Sequence, residues 1–351
     1  MIGAGAVVSR VSDYDASGIA TKIVGNSASK GRFLRFSVES WHSVDKSKSR
    51  PLSIVVPTYR RDSVLIATIG HLLELDPAPA EILVVDQTER HQETVEQTLR
   101  NWDAAGAIRL LRLTEPSTTR AMNRGLCEAK QTSVLFVDDD IVPEPGLLEM
   151  HWRALERTGA ALVAGRVIQP WHKGKDLSKH EGFHFASMQA GWINDFIGCN
   201  FTVRREIARE LGGFDEQFVS VAYNFEAEFA YRLREAGHQI FYEPAACIHH
   251  LKAIEGGTRT FGDHLRSFKP NHAVGAYYYI LRTWSGWQSL VQFLKRPLRA
   301  IATRHHLRRP WWIPPTLAAE LFGMAWALAL AAQGPRYLSP AIGRKAGGIS
   351  D

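Results

Sequence analysis

The sequence predicts an α/β fold with a mostly parallel central sheet, on three observations. From Ser53 onward, short apolar runs alternate with stretches of helical spacing. Three of the apolar runs end in polar residues suited to a ligand, at Pro57-Thr58-Tyr59, at Asp86 and at Asp138-Asp139-Asp140. The chain has 351 residues, 45% of them apolar, which is ample for a large core.

Residues 1–50 are polar and rich in Ser and Gly, without sustained periodicity, and read as an N-terminal extension. Gly3-Ala4-Gly5 is not a dinucleotide fingerprint, because the third glycine would fall on Val8 and no strand feeds the turn. Ser53 to Val56 is a strand stopped by Pro57, and Ser63 to Leu75 has helical spacing. Strand Ile82 to Val85, helix Glu93 to Trp102, strand Ile108 to Leu113 and helix Arg120 to Ala129 continue the alternation. Val134 to Val137 then forms a fully apolar strand, the kind that is covered on both faces.

That strand ends in three adjacent carboxylates, which repel one another and cannot be buried without a cation or strong donors. Alternation sends Asp138 and Asp140 to one side and Asp139 to the other, so the first and third could meet one hard divalent cation. A solvated acidic turn is the plain alternative. Ligands of open parallel sheets bind beyond the carboxyl ends of the strands, and the polar ends of three strands favour a site.

Further on, Gly146 to Thr158 reads as a helix, Leu162 to Val167 as a strand, and Gln169 to Asn194 as a long loop of the kind that covers substrates. Val203 to Leu211 has helical spacing. Phe225-Glu226-Ala227-Glu228 opens a helix running to Ala236, where the two glutamates gain from the helix dipole. Gln239 to Tyr242 reads as a strand, followed by His249 and His250.

The three cysteines, Cys127, Cys199 and Cys247, form no C-x-x-C pair, so neither a disulfide framework nor a cysteine zinc site is indicated. No signal peptide is read at the start, and a cytoplasmic setting is expected. The net charge is +6, but Arg282 to Arg309 holds seven Lys/Arg and no acid, interleaved with Trp284, Trp287 and Phe293. Such a run suits an anionic membrane surface better than nucleic acid. Thr316 to Ala332 follows, 17 residues with the single charge Glu320, short of the ~20 needed to span a bilayer. It is expected to lie at the membrane face.

Six segments in order, Pro57-Thr58-Tyr59-Arg60-Arg61, Val84-Val85-Asp86, Asn123-Arg124-Gly125, Phe136 to Asp140, Gly212 to Glu216 and Arg232 to Gly237, resemble the family 2 glycosyltransferases. The resemblance covers about Pro51 to Arg259. It implies the GT-A fold, a Rossmann-like nucleotide-binding architecture, with a nucleotide-sugar half at 51–145 and an acceptor half at 146–262. Residues 263–351 are left as a basic, aromatic helical region that associates with membrane.

The resemblance also implies the chemistry. A nucleotide-diphosphate sugar, with UDP the commonest nucleotide, would be held by Pro57, Thr58, Tyr59, Asp86, Asn123, Asp138, Asp139 and Arg259. Mg²⁺ or Mn²⁺ would sit on Asp138 and Asp140, Asp140 being the direct ligand, with His249 or His250 nearby. Asn200, Gly213 and Phe214 would meet the acceptor, a glycan or lipid-linked hydroxyl at the inner face of the cell membrane. The base would be Glu226 or Glu228, because this chain has Phe225-Glu226 where relatives have Glu-Asp. Met122 replaces an arginine common in relatives. Two other readings stand beside this one: a catalytically inactive sugar-nucleotide-binding module, and a haloacid-dehalogenase-type phosphatase using Asp138 as nucleophile through Asp138-x-Asp140-x-Val142.

Overall fold

The computed structural model describes residues 49–175, 177, 183–261 and 268–338. The predicted extension therefore lies outside the described residues except for its last two, and Arg50 already belongs to the first strand. The elements run β1 (Arg50–Thr58), α1 (Ser63–Leu73), β2 (Pro79–Asp86), α2 (Glu93–Ala104), β3 (Arg109–Arg112), α3 (Thr118–Glu128), β4 (Ser133–Val137) and β5 (Ile141–Pro143). There follow α4 (Leu147–Thr158), β6 (Leu162–Ile168), β7 (Gly191–Ile193), β8 (Asn200–Arg204), α5 (Arg205–Glu210), α6 (Phe225–Glu235) and β9 (Ile240–His250). The chain ends in α7 (Asn271–Thr283), α8 (Gly286–Ile301), α9 (Arg304–Arg308) and α10 (Ile313–Gln333).

One nine-stranded sheet has the order β3-β2-β1-β4-β8-β6-β9-β5, with β7 on β9. Strands β1 to β4 pair in parallel, β8 enters antiparallel between β4 and β6, and β6 and β9 are parallel. Alternate residues feed two cores. Val55, Val134 and Phe136 face one, whereas Ile54, Val56, Leu135 and Val137 face the other. Burial on both faces explains the unbroken apolar runs.

Helix α3 lies closely on β1. A Cβ at Gly125 would stand 2.3 Å from Val55 Cγ1, so the glycine of Asn123-Arg124-Gly125 is there to let helix and strand meet.

The structure departs from the sequence reading at three places. Val203 lies in β8, not in a helix, because Phe201 and Val203 alternate into the core between β4 and β6; only Arg205–Glu210 is helical. His249 and His250 are the last residues of β9 rather than following a strand, so they face opposite ways. The apolar tail starts earlier than expected, with Pro314 and Pro315 inside its first turn, where proline is tolerated. With the preceding turn it covers Pro310–Gln333, 24 residues whose most apolar 18-residue stretch has mean hydropathy 1.4, long and apolar enough to cross a membrane, though one third of that stretch is buried in the protein.

The C-terminal helices share a core with the rest. Ala273, Val274, Tyr277 and Tyr278 of α7, with Ala327 and Leu330 of α10, join Phe214, Phe225 and Phe229 in one cluster. Gly323 of α10 permits contact with α7, since a Cβ there would be 2.5 Å from Ala273 Cβ.

Candidate active site

The carboxyl ends of β2, β1 and β4 lie side by side, and the acidic triplet leaves β4 next to the end of β1. Its three carboxylates meet three different environments. Asp139 turns inward, accepts a 2.7 Å hydrogen bond from the Thr58 hydroxyl, and lies 3.3 Å from Arg61 Nε. Burial pushes its pKa up to about 7 despite Arg61. Asp140 is also buried: its Oδ2 accepts from the Ala253 N–H at 2.8 Å and lies 3.5 Å from Arg61, and its Oδ1 is 3.0 Å from His250 Nε2. Burial alone would raise the Asp140 pKa, but His250 and Arg61 overcome it and hold it low.

Asp138 is the triplet member that opens to the cleft, with 45% of its side chain exposed. Protein mass around the cleft and the neighbouring Asp140 still raise its pKa, against the pull of His250. His250 Nε2 lies 3.4 Å from Asp138 Oδ2. The antiparallel register pairs Val137 with Asn200, so the next residues, Asp138 and Cys199, come together at the strand ends. Ligand atoms of Asp138, Cys199 and His250 all lie within 4.8 Å of one another.

The carboxylate suits Mg²⁺ or Mn²⁺, which prefer oxygen donors, whereas the imidazole is a donor for transition-metal ions. Asp138 and His250 would hold the cation, with Asp140 beside the same His250 nitrogen. His249 is not part of this group: it faces away and meets Glu144 Oε1 at 2.5 Å.

Glu226 enters from the first turn of α6, beneath Gly198. A Cβ on Gly198 would be 2.9 Å from the Phe225 ring and 3.8 Å from Glu226 Oε1. Phe225, in place of the relatives' acid, packs edge-on to Phe214 with centroids 5.8 Å apart, so its side chain belongs to the core. Burial, helped by Asp195 and Asp138, pushes the Glu226 pKa up to about 8, and Asp195 itself is pushed by burial to about 6. Glu228, two residues on, is committed elsewhere: Arg232 grips both of its oxygens at 2.8 and 2.9 Å, and the Tyr337 hydroxyl donates to it at 3.1 Å.

On the nucleotide side, Asp86 is wholly buried. His91 Nε2 lies 2.8 Å from its Oδ2, Arg112 binds the same oxygen, and the Thr88 N–H donates to Oδ1 at 2.8 Å. Burial would raise the Asp86 pKa, but His91 and Thr88 win and lower it. The Tyr59 hydroxyl is 3.5 Å from Glu89, which also pairs with Arg60. Pro57 sits near the end of β1, paired with Val85. Arg61 also binds the Glu255 carbonyl, and the Gly257 N–H donates to the Tyr59 carbonyl at 2.7 Å, so the glycine loop is tied to the end of β1. Gly256, at φ +74°, allows this approach, since a Cβ there would lie 2.1 Å from the Arg60 carbonyl oxygen. Arg259 lies in the short helical turn that follows, Gly257–Phe261, and its side chain is outside the described residues.

Four predicted contact residues have their polar groups used, or their side chains packed, inside the fold. Asn123 accepts from the Phe214 N–H and donates to the Phe214 carbonyl, both at 2.8 Å, tying α3 to the Gly212–Glu216 turn. Gly213 packs against Asn123, and Phe214 is fully buried. Asn200 donates to the Arg166 and Ala246 carbonyls and accepts from His151, whose pKa burial lowers to about 4, so the ring is neutral and donates. These side chains therefore shape the site's walls and do not reach into it. In the other direction, the sequence reading gave no role to Arg61, His91, Arg112, Cys199 or Asp195. Only Arg61 carried a signal, its place in the Pro57 to Arg61 segment; the others depend on which strands become neighbours.

Strand order and crossover, with the polar ends of β1, β2 and β4 converging, define a GT-A fold. Residues 53–212 match the family described as glycosyl transferase family 2. A pre-mycofactocin glycosyltransferase of Mycobacterium tuberculosis is 29% identical over 140 residues, 37% of this chain and 29% of that protein. The probable glycosyltransferase YdaM of Bacillus subtilis is 25% identical over 219 residues, 56% of this chain and 49% of YdaM. The chain thus spans between under a third and about half of the length of these curated relatives. Among solved structures, GalNAc-T7 with UDP, GalNAc and Mn²⁺ superposes with a TM-score of 0.53 at 14% identity, covering 80% of this chain and 55% of that one. S. aureus TarS 1-349 in complex with UDP-GlcNAc gives 0.52 at 15% identity, covering 82% and 93%. The family match displaces the phosphatase reading of Asp138.

Proposed function

We propose that this protein is a metal-dependent, inverting glycosyltransferase that moves a sugar from a nucleotide-diphosphate sugar to a hydroxyl of a glycan or lipid-linked acceptor. The observation that carries the reading is the meeting of Asp138, His250 and Glu226 around Gly198-Cys199, beyond the carboxyl ends of the parallel strands. Asp86, fixed by His91, Arg112 and Thr88, shapes the pocket that takes the base. Asp138 faces the donor sugar, and Thr58 and Arg61 keep the triplet in place. Asp138 and His250 would hold a divalent cation, which when bound would supply countercharge to a diphosphate. Glu226, once deprotonated, accepts the proton of the acceptor hydroxyl on the face opposite the leaving group. Its raised pKa suits a base that works near neutral pH and returns the proton easily.

UDP and Mn²⁺ are the first pair to test, given the ligands of GalNAc-T7 and TarS. The C-terminal surface supports an acceptor at the inner face of the cell membrane. Trp287, Leu290, Leu294 and Leu298 are exposed along one side of α8, at helical spacing and beside Lys295 and Arg299, and Leu321, Phe322 and Leu328 of α10 are exposed as well. The test is nucleotide release across a panel of NDP-sugars with Mg²⁺ or Mn²⁺ and a membrane extract as acceptor. Release that chelation abolishes is the expected result. UDP binding without release from any donor would instead indicate a non-catalytic binding module.

A further inference from the structure

We infer that Cys199 is a ligand of the cleft's cation, making a mixed carboxylate, thiolate and imidazole site that takes a thiophilic divalent ion such as Zn²⁺ or Co²⁺. The inference rests on the proposed reading of the cleft as a cation site and adds a ligand that changes which ions it prefers.

The fold brings three ligand types to one point. Asp138 leaves β4, Cys199 precedes β8 opposite it in the antiparallel register, and His250 ends β9. Their ligand atoms lie within 4.8 Å of one another, and small side-chain shifts would bring them onto one ion of tetrahedral geometry. His250 Nε2 stands 3.4 Å from Asp138 and 3.0 Å from Asp140. A hydrogen on this nitrogen would point into the gap between the carboxylates, the position a cation would take instead. Asp140, held by the Ala253 N–H and near Arg61, lies beside that same nitrogen, so its Oδ1 flanks the cation position together with Asp138.

Cys199 is buried where the apolar cluster of Val137, Ala246 and Ile248 ends, and its sulfur meets the ligand atoms of Asp138 and His250 there. On coordination its S–H proton passes to solvent and the sulfur lone pair forms the bond to the metal, with no change of oxidation state. Thiolate ligation favours Zn²⁺ and Co²⁺ over Mg²⁺ and Mn²⁺, which prefer oxygen. Zinc would then compete at the donor site with Mn²⁺.

The experiment titrates the metal-free protein, with no sugar donor present, with Co²⁺ and records the sulfur-to-cobalt charge-transfer band in the near ultraviolet. The wild type should show the band; Cys199→Ser and Cys199→Ala should both lose it, while Cys127→Ser keeps it. Zn²⁺ affinity, read by competition with a chromophoric chelator, should fall about tenfold or more in the Cys199 variants, with Mn²⁺ affinity nearly unchanged as a check that the cleft has folded. Co²⁺ binding without the band in wild type, or undiminished Zn²⁺ affinity in both variants, overturns the role of Cys199 and leaves the cation site standing. Failure of every cation to bind would remove the cation site itself.

Discussion

His91 Nε2 lies 2.8 Å from Asp86 Oδ2 while its Nδ1 lies 2.7 Å from Asp62 Oδ1, so one buried ring ties the end of β2 to the loop before α1. Facing carboxylates on both sides, the ring bonds to both only as an imidazolium. Burial alone would lower its pKa, but Asp86 and Asp62 overcome it and raise it. A raised folded pKa means that this contribution is full below the unfolded value, about 6.5, and is lost as pH rises through the folded value.

Nucleotide binding should follow that titration. Calorimetry with UDP from about pH 6 to about pH 9 should show affinity falling at the alkaline end. In His91→Gln the affinity should be about tenfold weaker at the acid end, and the pH slope should flatten, since one hydrogen bond to a charged group is worth about 1.5 kcal/mol or more. An unchanged slope in the variant would assign the pH dependence to another group.

Glu226 gives a signed effect on stability. Its folded pKa, about 8, lies above the unfolded value, so its relative stabilisation is present at low pH and lost as pH rises through about 8. Without metal, Glu226→Gln should therefore melt above wild type at alkaline pH and near it in acid, by differential scanning calorimetry. A variant less stable at every pH would mean that the carboxylate is a structural ligand rather than a base kept at a cost.

Glu228 should behave oppositely. Removing one partner of a buried ion pair costs about 3 kcal/mol, so Glu228→Ala should lose about that much in urea unfolding, since Arg232 is left with no carboxylate. Turnover per folded molecule should stay within a few-fold of wild type.

Gly125→Ala should destabilise by about 2 kcal/mol, because the new methyl overlaps Val55. Val55→Ala should restore part of that loss in the double variant, a coupling that a double-mutant cycle would read directly. Additive losses would show that helix strain, not the contact with β1, sets the cost.

The parallel half of the sheet was legible because its apolar runs are buried on both faces and each is followed by a helix of clear period. The same reasoning failed at Val203, where a short strand flanked by a helix gives a period too brief to separate the two. The candidate site could be named from the sequence where it is local: the triplet, Asp86, and the glutamates opening α6. It was not legible where segments distant in sequence converge, as with Cys199 opposite Asp138 or Asp62 beside His91. Asn123, Asn200 and Phe214 show the reverse error. They stand in motifs, but their side chains are consumed by backbone contacts that only the folded chain reveals.

The α8 face bears on location. Leu294→Glu and Trp287→Glu place charge on the exposed apolar stripe and should abolish sedimentation with anionic vesicles without changing the melting temperature. Retained sedimentation would move the contact to α10.

The most direct measurement of the central claim compares Glu226→Gln with wild type, by calorimetric UDP-sugar binding in Mn²⁺ and by sugar transfer to a membrane-extract acceptor. Donor affinity should be retained, and transfer should fall by about 10² or more. Transfer undiminished in Glu226→Gln would contradict its role as the base of the reaction.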